Sequence, residues 1–298
     1  MDSALVQDRV RAYWNSQPCD SELSKQERLS REFFLDIERQ RYTLQPHILE
    51  IMSKIDWRGK RMLEIGAGIG TDARMLVGKG AVYTGVNIDR GSTEAASRAL
   101  NVFALSGQVL ERDATRLDFP DGSFDAVYSF GVLQHIPRAD EAVAEIRRIL
   151  KPGGELLVML YNRSSINYAI EIMFLRKLGL RLLQIPGAIP VLEQLGFPRE
   201  KLERHRQLFL ERGPVSDQEW LSRNTNGPDY PYCRVYDASE AEDLFRDFQM
   251  MANEVHFFDH RHWGVLGRLM PTFLRRAVGR RWGWHRIIHA RKPLAAKA

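Results

Sequence analysis

Glycines at alternate positions, Gly66, Gly68 and Gly70, punctuate the stretch Met62-Leu63-Glu64-Ile65-Gly66-Ala67-Gly68-Ile69-Gly70-Thr71-Asp72. An apolar run leads into them and a helical pattern, Ala73-Arg74-Met75-Leu76-Val77, leads away. Glycine lets a backbone take positive φ and lie close to a ligand, and the free N–H groups that open a helix attract its negative part. Strand, tight turn and helix N-terminus in this order suit a nucleotide-like ligand over the carboxyl end of a parallel strand. Dinucleotide sites use G-x-G-x-x-G; here Thr71 stands where that third glycine would be. Glu64, two residues ahead of the first glycine, would repel a pyrophosphate and instead suits the ammonium of an amino-acid moiety. A second residue fit for chemistry is His135, whose imidazole titrates near neutrality and can take a proton from an acceptor.

The elements that position these groups alternate. Arg61–Ile65, Ala81–Asp89, Gln108–Arg112, Phe124–Phe130 and Glu155–Leu160 read as five strands. Helices are expected at Thr71–Lys79, from Ser92 as a helix cap, and at Asp140–Leu150, where Lys151-Pro152-Gly153-Gly154 supplies the stop. Alternation of this kind implies a parallel sheet with helices on both faces. Residues 1–57 read as a helical cap, with apolar stripes through Val10, Tyr13 and Trp14 and then from Ser24 through Leu29, Phe33 and Ile37. Such a cap would bring Glu38, Arg39, Arg41, Tyr42 and His47 near the cofactor cleft.

Residues 58–162 form the expected cofactor-binding core, and 163–237 interrupt the rhythm. That insertion holds an apolar helical stretch (Ile166–Leu183), a Pro/Gly-rich link (Ile185–Pro190), a charged helix (Glu200–Glu211) and the loop Asn224–Tyr232. A segment of this length suits a lid or substrate subdomain. Residues 238–298 complete the sheet with a helix at Ser239–Phe248, capped near Ser239, and strands at Gln249–Phe258 and Trp284–Ala290. Between those strands lies the basic stretch Leu266–Trp282.

The totals, 298 residues with 44% hydrophobic and 27% charged, fit an ordinary globular protein. The net charge of +5 gathers toward the C-terminus in Arg268, Arg275, Arg276, Arg280, Arg281, Arg286, Arg291 and Lys292. Cys19 and Cys233, far apart, suggest neither a disulfide framework nor a metal site. The N-terminus has no apolar segment of signal-peptide length, and a cytoplasmic setting is expected.

Further segments carry a resemblance. The glycine run Glu64–Gly70 resembles motif I of the class I methyltransferases that use S-adenosylmethionine (SAM). Leu110-Glu111-Arg112-Asp113-Ala114 resembles their segment after strand three, and Phe119-Pro120-Asp121-Gly122-Ser123-Phe124-Asp125-Ala126-Val127 their approach to strand four. Phe130-Gly131-Val132-Leu133-Gln134-His135-Ile136-Pro137, followed by Leu150-Lys151-Pro152-Gly153-Gly154, looks like the signature of the methyltransferase type 11 group. The resemblance implies a Rossmann-like α/β fold: a seven-stranded sheet with helices on both faces, a helical cap and a long insertion after strand five. It implies SAM as cofactor, S-adenosylhomocysteine (SAH) as product, and no metal. Cofactor contacts would fall on Glu64, Gly66, Ala67, Gly68, Gly70, Thr71, Asp72, Asp113, Ala114, Phe130, Gly131 and Val132. Asp113 would accept from the adenine amino group. At the end of strand two the family carries an acid for the ribose hydroxyls, whereas this chain has Asn87, with Asp89 two residues on as a substitute.

His135 is the candidate base, with packing on adenine or capping of the turn as the alternative. Tyr42, His47, Tyr161, Tyr230, Arg234 and Tyr236 are candidates for acceptor contact. The expected activity is methyl transfer to an oxygen or nitrogen of a small molecule such as a sugar, an amine or a secondary metabolite. The apolar insertion helix equally admits a lipid- or quinone-like acceptor, and Asn87 leaves open a binding module without catalysis. No base-flipping motif of the Asn-Pro-Pro-Tyr type occurs, which argues against a nucleic-acid substrate. Arginine pairs interleaved with Phe273, Leu274, Val278, Trp282 and Trp284 give the C-terminal region the pattern of a peripheral membrane contact, unless that apolar face packs on the sheet edge.

Overall fold

The computed structural model describes residues 3–294 apart from 20, 195, 197, 214, 264–266 and 268. Leu266 and Arg268 of the expected basic stretch therefore lie outside the described residues. The chain opens with helices α1 (Ser3–Ser16), α2 (Arg31–Leu44) and α3 (His47–Met52). Ser30 caps α2, accepting from Phe33 N, so the second apolar stripe becomes helical later than Ser24. The core then runs β1 (Arg61–Ile65), α4 (Thr71–Gly78), β2 (Val82–Asn87), α5 (Arg90–Val102), β3 (Gly107–Glu111), β4 (Phe124–Phe130), α6 (Ala139–Ile149) and β5 (Leu150–Tyr161).

The insertion folds as a π-helical segment (Asn167–Leu175) continued by α7 (Arg176–Leu182), then α8 (Ala188–Gln194), α9 (Arg199–Arg212) and α10 (Asp217–Arg223). Helix α11 (Ala238–Leu244), β6 (Gln249–His256), α12 (Thr272–Trp282) and β7 (His285–Arg291) close the chain. Among the described residues no helix is long and apolar enough to cross a membrane.

The seven strands stand in the order β3-β2-β1-β4-β5-β7-β6. Strands β1 to β5 pair in parallel, and β7 enters antiparallel between β5 and β6. One apolar layer (Leu63, Val127, Leu133, Ile146, Phe245) packs one face of the sheet, and a second (Met62, Tyr128, Ile48, Met52, Trp57) packs the other. Both faces are covered, as a central parallel sheet requires.

Three local expectations change. Helix α5 is capped by Asp89, whose carboxylate accepts from Ser92 N at 2.7 Å, so the cap lies three residues before Ser92. Helix α11 is capped by Asp237 in a reciprocal pair with Glu240, ahead of Ser239. Lys151–Gly154, expected as a helix stop, lies inside β5, where the pairing slips between Phe124 and Ala126. Lys151 there binds Asp125 at 2.5 Å and Gly153, at φ +78°, donates to Lys292 O.

The cap is seated on the sheet by one carboxylate. Asp72, in the first turn of α4, accepts from Arg41 Nε at 3.0 Å and Nη2 at 2.9 Å, and from the Tyr42 and Tyr128 hydroxyls at 2.9 Å each. It is 4% exposed, so the four donors replace its water. Replacing Asp72 by Ala would leave the half-buried Arg41 and two buried hydroxyls without this partner, and the expected loss is about 3 kcal/mol in urea unfolding. The Asp72→Asn variant, which keeps hydrogen-bonding capacity toward the tyrosines, should lose less.

Candidate active site

A cavity of about 600 Å³ opens at the carboxyl ends of β1, β2 and β4. Its floor is the glycine turn, where Gly66, Gly68 and Gly70 all take positive φ (+75°, +54° and +85°). A Cβ on Gly66 would lie 2.2 Å from Val132 Cγ2, so only glycine lets the turn after β1 approach the turn after β4 this closely. A Cβ on Gly68 would meet nothing within 4 Å, leaving open space above the turn.

Asn87 explains its own departure from the family pattern. Its Oδ1 accepts from Gly68 N at 2.9 Å and its Nδ2 donates to Gly68 O at 3.1 Å, so the side-chain amide pins the turn from both sides. An aspartate could accept but not donate. Asp89 also lines the cavity, and its burial pushes its carboxyl up from the usual carboxylate range.

Of the expected cofactor residues, Gly66, Gly68, Asn87, Asp89, Ala114, Phe130, Gly131 and Val132 line the cavity, as do His135 and Tyr161 among the expected catalytic and acceptor residues. The structure puts the others elsewhere. Ala67, Gly70 and Thr71 shape the turn and open α4 without reaching the cavity wall, and Asp72 is spent on Arg41, Tyr42 and Tyr128.

Glu64 falls on the opposite face of β1 from Ile65 because strand side chains alternate. There it accepts from the Tyr83 hydroxyl, in a pocket that Gly85 leaves clear: a Cβ on Gly85 would stand 2.6 Å from that hydroxyl. Burial, and the Asp72 charge nearby, push Glu64 up to about 8.

The acceptor candidates divide likewise. Tyr42 belongs to the Asp72 cluster, and His47 is buried against His285, 2.9 Å away. Tyr230 packs behind His135 at a ring distance of 5.0 Å. Arg234 and Tyr236 stack on each other away from the cavity, with Tyr236 in the core beneath α6 and α11. Sequence spacing cannot separate these cases, since the partners of each are remote in the chain.

Helix α1 contributes residues that the sequence reading missed. Gln7 Nε2 donates to both oxygens of Asp113 at 2.9 Å, and Thr115 N and Oγ1 donate to Asp113 Oδ1. Gln7 lines the cavity, is 5% exposed, and its Oε1 is buried without a partner. The same helix is tied by Arg11 Nε to Ile88 O, by Asn15 Oδ1 to Gly91 N, and by the Tyr13 hydroxyl to Asn226 O. It thus roofs the ends of β2 and β3. The only sequence signal was the apolar stripe through Val10, Tyr13 and Trp14.

His135 sits in an aromatic enclosure. Tyr230, Tyr161 and Trp14 stand at ring distances of 5.0, 5.5 and 6.2 Å, and Trp284 stacks on Tyr161 at 4.4 Å. The Tyr232 carbonyl, 3.3 Å from Nδ1, can only accept, which places the ring proton on Nδ1. Nε2 is then the bare nitrogen, meeting Asn226 Nδ2 at 3.3 Å. Burial lowers His135 to about 4, so at neutral pH the ring is uncharged with a free lone pair.

Residues 63–158 match the family described as the methyltransferase domain. Over residues 63–158, then, the chain carries a methyltransferase domain. A sterol 24-C-methyltransferase of Gibberella zeae is 38% identical over 99 residues, 32% of this chain and 26% of that protein. A fatty-acid O-methyltransferase of Mycolicibacterium smegmatis is 34% identical over 122 residues, 40% of this chain and 43% of that protein. The matched stretch thus spans less than half the length of these curated relatives. Among solved structures, the magnesium protoporphyrin IX methyltransferase of Synechocystis PCC 6803 shares the fold at TM-score 0.54 and 14% identity, covering 96% of this chain and 99% of that one.

The buried histidines make the protein sensitive to acid. His47 is held at about 3 and His135 at about 4, both below the 6.5 of a free imidazole, by burial first. Below pH 6.5 the unfolded chain takes up protons that the folded chain refuses, so stability falls with pH, down to about pH 4 for His135 and about pH 3 for His47. At about 1.4 kcal/mol for each tenfold change in acidity, His135 alone should cost about 3 kcal/mol across that window. Urea titrations at pH 7 and pH 4.5 should show a smaller pH-dependent loss for His135→Phe than for the unaltered protein.

Proposed function

We propose that this protein transfers a methyl group from SAM to an oxygen or nitrogen of a small-molecule acceptor whose body is largely apolar. One observation carries the reading: a single cavity runs from the glycine turn, past Phe130–Val132, to a neutral His135 among aromatic rings. The family supplies the cofactor, and the cavity's own features fit it. The positive-φ turn leaves open space above Gly68, and the unpartnered Gln7 Oε1 offers an acceptor to an exocyclic amino group beside Asp113 and Ala114. Gly66, Gly68, Ala114 and Phe130–Val132 would hold SAM, with Asp89 supplying the carboxylate beside a cavity where Asn87 is already committed to the turn. Bound there, SAM supplies an electrophilic methyl on a sulfonium.

The chain's own residues then position and exclude. Trp14, Tyr161 and Trp284 would hold an apolar acceptor body, and the walls keep water from the reacting atoms. His135 Nε2 takes the acceptor proton once the acceptor replaces the Asn226 amide. Arg176, Arg223 and Asn224, farther along the wall, suit a polar end of the acceptor. The sterol and fatty-acid acceptors in the relatives' names support an apolar body.

Thermal unfolding with SAM, SAH and NAD is the first test. SAM or SAH at about 100 times its dissociation constant should add about 2.7 kcal/mol, and NAD nothing; no response to either SAM or SAH overturns the reading. With an acceptor in hand, His135→Asn should lower kcat about 10²- to 10⁴-fold while keeping the SAM-induced shift. Because burial holds His135 at about 4, the unaltered enzyme's kcat should stay flat from pH 6 to 8 rather than rise with a midpoint near 6.5.

A further inference from the structure

The insertion helix presents its apolar side to solvent. Ile170, Phe174, Leu178 and Leu182 recur every four residues along the π-helical segment and α7, Ile185 follows in the turn after it, and each is between 43% and 62% exposed. This reverses the usual arrangement, in which such a stripe faces the core. The opposite side of the same segment is used: Asn167, Glu171 and Ile172 are buried and line the cavity. From residue 172 to residue 192 the chain contains no Asp or Glu; of its cations there, Arg176 pairs with Glu171 and Lys177 with Asp217 from outside that span, and Arg181 stands in the last turn of α7.

Helix α12 repeats the composition. It has four arginines, no acid, and Phe273, Leu274 and Trp282 exposed, while Gly279 is buried against the Phe257 and Phe258 backbone and Val278 is half-buried. Phe273, Leu274 and Trp282 therefore face away from the sheet edge, whereas Trp284 stacks on Tyr161. The two elements flank one short segment: Asn167 Nδ2 donates to Asp259 O, and Arg275 Nη1 meets His260 Nε2 at 3.0 Å.

We propose that this face docks on an anionic lipid surface, with the 170–185 stripe entering the headgroup boundary and the α12 arginines holding the phosphates. An exposed apolar stripe beside a helix whose charged residues are all arginine is what such a surface recognises. A second copy of the chain meets the charge pattern poorly, since a two-fold contact would set the same arginines against one another. The cavity lies one helix behind the docked face, so an acceptor with an apolar body is drawn from the bilayer. Docking itself is independent of the methyl-transfer reading, because its test requires neither cofactor nor acceptor.

The experiment is co-sedimentation of the full chain with phosphatidylcholine vesicles, with and without about 30% phosphatidylglycerol, at low and high salt. The expected result is at least tenfold more protein on the anionic vesicles, reduced by salt. Phe174→Glu with Leu178→Glu, and separately Arg276→Glu with Arg280→Glu, should each lose most of that binding. Both pairs are exposed, and an unchanged unfolding temperature checks that the variants fold. Equal partition to neutral and anionic vesicles, or none to either, overturns the proposal. So does a dimer in light scattering that the Phe174→Glu, Leu178→Glu variant abolishes while vesicle binding is absent. Preference for duplex DNA or RNA over vesicles overturns it too, and vesicle binding unaffected by the Phe174 and Leu178 substitutions removes the insertion helix from the surface.

Discussion

Asp72 is a single buried negative charge on which three parts of the molecule converge. Its own helix, α4, begins at the glycine turn; Arg41 and Tyr42 come from α2; Tyr128 comes from the middle of β4. A carboxylate out of water is stable only when its lone pairs are filled by well-aimed donors. That requirement fixes where the helical cap can sit, because no other arrangement brings the guanidinium and both hydroxyls to one site. Arg41 also stands over the Phe130 ring at 5.4 Å, so the same cation that seats the cap reaches the residue that opens the cavity wall. The glycine turn, the cap and the end of β4 are thereby one mechanical unit.

Above this unit the cavity is closed by contacts between segments far apart in the chain. Gln7 reaches Asp113 across 106 residues, Tyr13 reaches Asn226 across 213, and His135 reaches Tyr232 across 97. These ties are hydrogen bonds at the carboxyl ends of the strands, where a parallel sheet leaves its loops free to differ. Helix α1 is the roof of the site, and its polar links to Asp113, Ile88 and Gly91 are the ones a ligand entering at that end must exchange for its own.

The aromatic enclosure follows from the same geometry. Burial among Trp14, Tyr161 and Tyr230 removes water from His135, disfavours its charged form, and leaves a neutral imidazole whose tautomer a single backbone carbonyl sets. The insertion serves two sides at once. Its buried face walls the cavity and its apolar outer face is turned to the surroundings.

What the sequence determined by itself was what depends on local pattern. Strand β1 runs over the expected residues, and β4 likewise, because apolar runs bounded by turn residues leave little choice of register. The glycine turn was legible because its φ angles admit little but glycine. Local signals failed where two residues competed for one role: Asp89 over Ser92 and Asp237 over Ser239 as caps, each decided by which side chain can turn back on the third N–H beyond it. The tertiary structure alone decided which polar groups face the cavity. Glu64 lay in the right motif, yet strand alternation and Tyr83 turned it beneath the sheet, while Gln7, in a helix noted only for its apolar stripe, reached the cavity wall. A motif records the path of the backbone, but the partner of a buried polar side chain is chosen by whichever distant group can satisfy it, and that is settled only when the chain has folded.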